Sequence, residues 1–422
     1  MWKRIKYFVR QLFDVYCREF KLVIHDPGII LFFLFLPIAY PVIYSLIYNP
    51  ELVREVGMVV VDHDRSSKSR ELVRNLDACQ EVWVKGYAAD LDEAKRAMNS
   101  HDCYAILEIP EDFGKKIGRG EQANAALFCE SSLLLRYRGF LVASTSVSSA
   151  MGAQILEEKI DEVAPLAETI AGGDIMPIEN ISMGNISNGF DSFIMPGVLI
   201  LILHQCIILA AGMAGGAKRE RPGLIGYNSF NEQPSVLMTM LGQMLCYITI
   251  LVLPIIYLVH YVPLMFSFPM EAHIWEVLTF LVPMVLACMG LGFCFQGIVW
   301  ERESVFVLWV LTSVVFLFLS GLTWPRYAMA PFWKALSACV PATWGVEGFI
   351  RMNTNGASLS QVHHDYVSLW ILAAVYLAGA YCVQRWIVRP AVRKGYNAYE
   401  STRRELTGAD LDPKDIAEEK PC

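Results

Sequence analysis

The sequence predicts an α-helical polytopic membrane protein. It is expected to have six transmembrane helices, one before and five after an inserted α/β domain, and a re-entrant helix pair ahead of the last span. Three observations carry this. Charged residues make up 18% of the 422-residue chain, against roughly 25% in soluble proteins. Six stretches are apolar and carry few charges over lengths near those that cross a bilayer. Between the first and second of them lies a polar segment in which strand and helix patterns alternate, the mark of an α/β domain with a largely parallel sheet.

Taken in order, residues 1–26 read as an amphipathic interface helix. Ile5, Phe8, Val9, Leu12, Tyr16, Phe20, Val23 and Ile24 recur at helical spacing, and Lys3, Arg4, Arg10, Asp14, Arg18 and Lys21 fill the other face. No cleavable signal peptide is expected, because this segment is charged and lacks an apolar core followed by a small-residue cleavage site. Pro27-Gly28 interrupts the helix, and 27–48 holds the first span, uncharged from Ile29 to Tyr48.

Residues 49–189 form the inserted domain. Strands are expected at Val56–Val61, Val82–Tyr87, Tyr104–Ile109 and Ala125–Cys129. Helices are expected at Ser66–Leu76, Asp90–Asn99, Asp112–Ile117 and Leu133–Glu162. Ser66 or Ser67 caps the first helix, and Asp90 with Glu93 forms a capping box. The block 190–388 then holds five spans: Phe193–Ala211, Val236–Val262, Trp275–Val299, Val305–Leu319 and Tyr366–Val388. Residues 389–422 form a charged tail.

The stretch 320–352 is apolar and aromatic, yet Pro325, Pro331 and Pro341 divide it into pieces too short to span. Broken helices at membrane depth survive only where protein or a water-filled cavity covers their backbone. It therefore reads as re-entrant, with Trp324, Trp333 and Trp344 as interfacial anchors. Glu347 either faces a vestibule or caps a turn.

Basic residues set the orientation. The N-terminal helix, Lys218, Arg219 and Arg221, and Arg385, Arg389, Arg393 and Lys394 share one side, whereas Pro263–Ala272 carries no Lys or Arg. With six spans both termini are cytoplasmic, and the α/β domain and the broken stretch are outside.

Little in the chain suggests catalysis. A phosphate-binding G-x-x-x-x-G-K-[ST] loop is absent: at the sole Gly-Lys pair, Gly114-Lys115, Ile109 stands for the first glycine and Lys116 for Ser or Thr. ATP-derived energy must come from another subunit. Eleven cysteines without a C-x-x-C pair argue against zinc or a disulfide scaffold. One bridge among Cys79, Cys103 and Cys129 stays open in an oxidising compartment. Asp62-His63-Asp64 and His363-His364-Asp365 read as ordinary polar turns before ligand clusters, so no metal site is expected. Asn180 and Asn185 begin glycosylation sequons, relevant only in a eukaryotic secretory pathway. The charges from Lys218 to Arg221 read either as a positive-inside anchor or as a compact loop touching a cytoplasmic motor, with the end of the N-terminal helix as the other half of that contact and Glu301-Arg302-Glu303 as a third, tighter turn on that side.

These features together resemble the type 2 ABC transporter permease family, in the subgroup with a large external domain between the first two spans. The carriers are Arg18-Glu19-Phe20-Lys21 through Asp26-Pro27, the one-plus-five layout, Lys218 to Arg221 followed by Gly223 and Leu224, and Ser320-Gly321 to Pro331 with Leu336, Pro341 and Glu347-Gly348. The family's cytoplasmic loop often reads Glu-Arg-Glu with a following Gly-Thr; here it reads Arg-Glu-Arg-Pro-Gly-Leu. The resemblance implies a non-enzymatic permease subunit that pairs with a second one above two cytoplasmic ATPase subunits. ATP and Mg would bind those subunits, and this chain would hold no cofactor. It implies ATPase coupling through Arg18, Glu19, Lys21, Asp26, Lys218, Arg219, Glu220 and Arg221, and an outer gate built on Gly321, Pro325, Pro331, Pro341 and Glu347. It further implies export from a bacterial inner membrane with a periplasmic adaptor and an outer-membrane channel, and no nucleic-acid partner. Apolar spans suit a drug-like or lipid cargo. The competing reading is a membrane-anchored receptor or adhesion protein. A secondary transporter would need ionisable residues near the membrane midplane, and none is evident in the sequence.

Overall fold

The computed structural model describes residues 2–48, 53–163, 189–220 and 234–407. Arg221, Pro222 to Leu224 and the sequons at Asn180 and Asn185 lie outside them. The chain divides into two compact units, residues 1–49 with 182–422, and residues 50–181.

The smaller unit is built on a four-stranded sheet in the order β2-β1-β3-β4: β1 (Val56–Asp62), β2 (Val82–Tyr87), β3 (Ala105–Ile109) and β4 (Ala126–Cys129). β1 runs parallel to β2 and β3, and β4 is antiparallel to β3. Alternate residues of a strand point to opposite faces, and β1 is central, so both of its faces are covered. Met58 and Val60 join Leu72, Val73, Leu76, Phe113 and Phe140 in one core. Val59 and Val61 join Ala94, Cys103 and Ile106 in the other. The helices are α3 (Ser67–Asp77), α4 (Leu91–Asn99), α5 (Phe113–Arg119) and α6 (Leu134–Val163). Ser66 caps α3 by accepting from the Ser69 amide at 3.1 Å. Asp90 caps α4 through the Glu93 amide at 2.7 Å, while Glu93 reaches back to the Ala89 amide at 2.7 Å.

All three cysteines of this unit are free. Cys103 packs in one core, whereas Cys79 and Cys129 flank the other, so the sheet separates Cys103 from both. Burial pushes the Cys129 thiol up to about 11 and raises those of Cys79 and Cys103. A thiol raised on folding favours the folded state below its unfolded value near 8.5 and loses that contribution as pH rises through the folded one. Alkylation at Cys129, followed by peptide mass spectrometry, is expected to stay slow at pH 8 and to accelerate only above about pH 10. Rapid modification at pH 8 would contradict this environment.

The larger unit is helical. Its elements are α1 (Trp2–His25), α2 (Pro27–Tyr48), α7 (Phe190–Glu220), α8 (Val236–Phe266), α9 (Ile274–Phe295), α10 (Ser304–Leu319), α11 (Pro331–Ala338) and α12 (Pro341–Asn353). The last helix is α13 (His363–Val383), continued through a π-helical turn at Gln384–Val388 into α14 (Arg389–Thr407). Among the described residues, five helices are long and apolar enough to cross a membrane: α2, α7, α8, α9 and the α13–α14 rod. The expected fifth of the six spans, α10, has 16 residues. At 1.5 Å per residue that is about 24 Å, short of a hydrocarbon core of roughly 30 Å.

Helix ends differ from the sequence expectation where neighbours hold the chain. α7 does not stop at Ala211. The buried run from Ala210 to Ala217, all small residues except Met213, continues it to Glu220, so Lys218, Arg219 and Glu220 are its last turn, not a loop. Two basic side chains suit a helix C-terminus, where the macrodipole is negative. α8 likewise continues past Val262 to Phe266, through a π turn at Tyr257–Tyr261. Pro263 does not break it, because that proline follows the π turn as an early residue of a new α segment, and Ser267, at φ 57°, ends the helix. The polar tail is helical as far as Thr407.

Candidate functional site

The sequence along α1 places Glu19 and Asp26 on the same stripe as the buried residues Val15 and Leu22, spaced by three to four positions. Both acids are therefore carried inward. Glu19 is 4% exposed. Its carboxylate lies 2.6 Å from Lys218 Nζ in the last turn of α7, and accepts from Tyr247 Oη at 2.5 Å and from Gln243 Nε2 at 3.4 Å, both on α8. Tyr247 is itself fixed between Phe33 of α2 and Phe293 of α9, with ring centroids 4.9 and 6.0 Å away. One buried acid thus ties α1 to two bundle helices, and its phenol partner touches two more.

Asp26 stands at the break between α1 and α2. One carboxylate oxygen caps α2 through the amides of Gly28 at 2.9 Å and Ile29 at 3.2 Å. The other pairs with Arg302 at 3.1 Å in the turn between α9 and α10. Arg219 donates to the Val299 carbonyl and lies over the Trp300 ring at 5.1 Å. The helices approach closely here: a Cβ on Gly242 of α8 would lie 2.6 Å from Val15 Cγ1.

Of the coupling residues expected from sequence, the structure brings Glu19 together with Lys218, and Asp26 with Arg302 of the Glu301-Arg302-Glu303 turn. It does not bring them into one exposed patch. Lys218 and Glu19 satisfy each other inside the bundle, which corrects the picture of a free charged loop. Arg18, paired with Asp14 at 3.3 Å, is half-buried, and Lys21 and Glu220 are exposed. Tyr247 and Gln243 were missed, and Arg302 was read only as part of a charged turn, because their pairing is tertiary.

At the opposite end of the helices, Gly321 turns the chain at φ 85°, a left-handed conformation suited to glycine. Pro331 and Pro341 start α11 and α12 at the first helical position, where a missing N–H costs nothing; Pro325 precedes a single 3-10 turn, Arg326–Ala328. α11 is exposed along Phe332, Trp333 and Leu336, whereas nearly all of α12 is buried against α7, α9 and α13. Trp344 is therefore not an interfacial anchor: it is 8% exposed, donates to the Ala338 carbonyl at 2.9 Å and carries Arg326 over its ring at 4.0 Å. Glu347 pairs with Arg326 at 2.8 Å, so it closes the stretch on itself. Arg351 pairs in turn with buried Asp365 at 3.2 Å.

The polar clusters weighed as ligand sites are absorbed by structure. Asp62 accepts from the amides of Asp64 and Arg65 and from the Ser69 hydroxyl; Asp64 accepts from the Gly114 amide at 3.0 Å. Among the described residues no group of three potential ligands could hold a metal. One ionisable residue does lie midway along a span, against the sequence reading. His204 of α7 is fully buried, edge-on to Phe316 at 5.3 Å, with neither ring nitrogen hydrogen-bonded. A lone histidine in an apolar run gives no periodic signal, and its burial depends on the neighbouring helices.

The structure thus presents a multi-pass helical membrane unit whose first amphipathic helix is held to the bundle by two part-buried ion pairs. The family model for ABC-2 family transporter proteins matches residues 27–382, and the chain belongs to that family. It is accordingly a membrane permease of an ABC transporter, and membership implies an ATPase partner. No curated protein matches the chain significantly.

Proposed function

We propose that the chain is the permease subunit of an ATP-driven exporter that moves a hydrophobic or amphipathic molecule, drug-like or lipid, out of the cytoplasm or inner membrane. The observation that carries this is the buried Glu19–Lys218 and Asp26–Arg302 clamp beneath a family match covering most of the chain. In this reading two permease subunits pair, identical or related, and two cytoplasmic ATPase subunits hold ATP and Mg. This chain holds no cofactor. The home is a bacterial inner membrane, with both termini cytoplasmic and the α/β unit outside, positioned to meet an adaptor and an outer-membrane channel. α10 then completes a sixth crossing with local bilayer thinning, a cost of fractions of a kcal/mol per Å.

The clamp makes α1 a rigid part of the bundle. Movement of an ATPase subunit against the exposed face of α1 and the α7 end, at Arg18, Lys21 and Glu220, is delivered through Glu19 and Asp26 to α7, α8 and the α9–α10 turn. Binding of ATP shifts the paired bundles between states by differential contact energy. At the far end the Gly321, Pro325, Pro331, Pro341 and Glu347 stretch serves as the outer gate, with the Arg326–Glu347 pair holding it shut.

Photo-crosslinkers placed at Lys21 and Glu220 in the assembled complex test the contact. Capture of a subunit bearing a phosphate-binding loop is expected at both. Crosslinks to lipid alone would remove α1 from the coupling path. Charge reversal at Lys21 and Glu220 together is expected to cut transport at least tenfold while the permease stays folded; undiminished transport would have the same consequence.

A further inference from the structure

We propose that a cleft in the α/β unit, between the β3–β4 pair and helices α3, α5 and α6, binds an amphipathic organic cation: a molecule with an apolar body and a protonated amine. The cleft is about 620 Å³, within the roughly 300–1,000 Å³ of small-molecule sites. It lies wholly inside the smaller unit, and its occupancy is independent of the transport reading.

The sequence of α6 leaves this volume open. Ala143, Val147 and Met151, four positions apart, turn into the core that α6 shares with α3 and β2. The positions that reach the cleft are Ser144, Thr145, Ser148, Ser149 and Gly152, with Met151 and Ile155. Filling the space to the density of a protein interior would need larger side chains at the five small positions. Leu107 and Leu127, direct partners across β3 and β4, therefore form an open floor. Leu72 and Leu76 of α3 with Phe113 and Ile117 of α5 make an apolar wall, and the α6 hydroxyls form the other. Ile117 and Leu127 stay half-buried, so an apolar body seated there removes further apolar surface from water.

The polar part of the lining selects the charge of the occupant. Among the described residues, Glu121 is the one charged residue of the lining, which holds no Lys, Arg or His. Gly120 ends α5 at φ 77°, and the Glu121 amide donates back to the Lys116 carbonyl at 2.9 Å, which fixes this residue at the rim. No described residue pairs with its carboxylate. Lys116 and Arg119 share the last turn of α5 but are exposed and outside the lining. On α6, Thr145 donates to the Leu141 carbonyl at 2.7 Å, whereas the Ser144, Ser148 and Ser149 hydroxyls engage no described residue. Hydroxyl oxygens accept from an ammonium, whose three N–H groups only donate. A carboxylate and hydroxyls beside an apolar floor complement a cationic amphiphile, and an anionic one would meet Glu121 without a compensating base.

The test uses the purified full chain in phosphatidylcholine nanodiscs, without an ATPase subunit, and photoreactive diazirine derivatives of decylamine, decanol and decanoic acid. Peptide mass spectrometry locates the label, which separates the cleft from the membrane-spanning helices. The amine is expected to label peptides carrying Phe113, Leu127 and Ser148 about fivefold more than the alcohol does, the gain of one rim ion pair, and the acid is expected to label them least. Glu121→Gln is expected to bring the amine down to the level of the alcohol. A Cβ on Gly152 meets nothing within 4 Å, so Gly152→Trp is expected to fill the cleft and abolish its labelling by all three probes. If that variant fails to fold, Ser148→Trp supplies the same arm. Equal labelling by amine and alcohol, or stronger labelling by the acid, overturns the cationic assignment. Absence of label from these peptides, or label that persists in the filled variant, overturns the site.

Discussion

Glu19→Ala is expected to be the most damaging single side-chain change on α1. It removes the carboxylate that pairs with Lys218 at 2.6 Å and accepts from Tyr247 at 2.5 Å. The phenol and the Gln243 amide are then left buried, and the lysine ammonium half-buried, without that partner. Removing one member of a buried ion pair costs about 3–5 kcal/mol, chiefly because the survivor keeps its desolvation penalty. Replacing both members by apolar residues of similar size is often nearly neutral. Glu19→Leu with Lys218→Met is therefore expected to recover most of the stability lost in Glu19→Ala. Thermal unfolding of the four combinations measures the coupling. The double variant also separates two roles: if the pair transmits force, it is stable but poorly coupled to ATP hydrolysis. A Glu19→Ala variant within about 1 kcal/mol of the parent would show that the carboxylate is not the lock described here.

The second large effect is expected at Asp26. Here one side chain does two jobs, capping α2 through Gly28 and Ile29 and pairing with Arg302 at 3.1 Å. Asp26→Ala loses both. The cap contributes about 1 kcal/mol, and breaking the pair adds less than the roughly 3–5 kcal/mol of a fully buried one, because Arg302 is 25% exposed. Asp26→Asn keeps an acceptor for the amides and loses only the charge, so it is expected to fall between the parent and Asp26→Ala. Arg302→Ala leaves the cap intact and frees the α9–α10 turn. Hydrogen exchange at the amides of Gly28 and Ile29 distinguishes the two losses: it rises in Asp26→Ala and stays near the parent in Arg302→Ala. Equal exchange in both variants would refute the division of labour between the two oxygens.

The sequence made local features legible. The strand Val82–Tyr87 and the caps at Ser66 and Asp90 stand where their residue types place them, because a cap or an alternation is decided within a few residues. Boundaries failed where distant packing decides. Lys218 and Arg219 look like a loop by charge, but the small buried residues before them carry α7 onward. Proline was a poor break signal by itself: Pro41, Pro196, Pro254 and Pro283 all lie inside helices, as membrane-spanning helices tolerate.

The candidate site divides the same way. Acids on α1 and bases at the end of α7 were visible as types. Tyr247 and Arg302 are separated from their partners by 228 and 276 positions, beyond any motif. A usable signal was nonetheless present: Val15, Glu19, Leu22 and Asp26 share one helical stripe, and an acid on an apolar stripe needs a buried partner.

ATP-driven transport by the reconstituted complex is the most direct test. The chain should be purified from its native membrane with its associated subunits, placed in proteoliposomes, and assayed for ATP hydrolysis and for movement of amphipathic dyes and lipids. A nucleotide-binding subunit in fixed proportion, with ATP-dependent movement that Glu19→Leu with Lys218→Met uncouples from hydrolysis, is the expected result. A preparation that contains no such subunit and shows no ATP-dependent movement would contradict the transporter reading at its root.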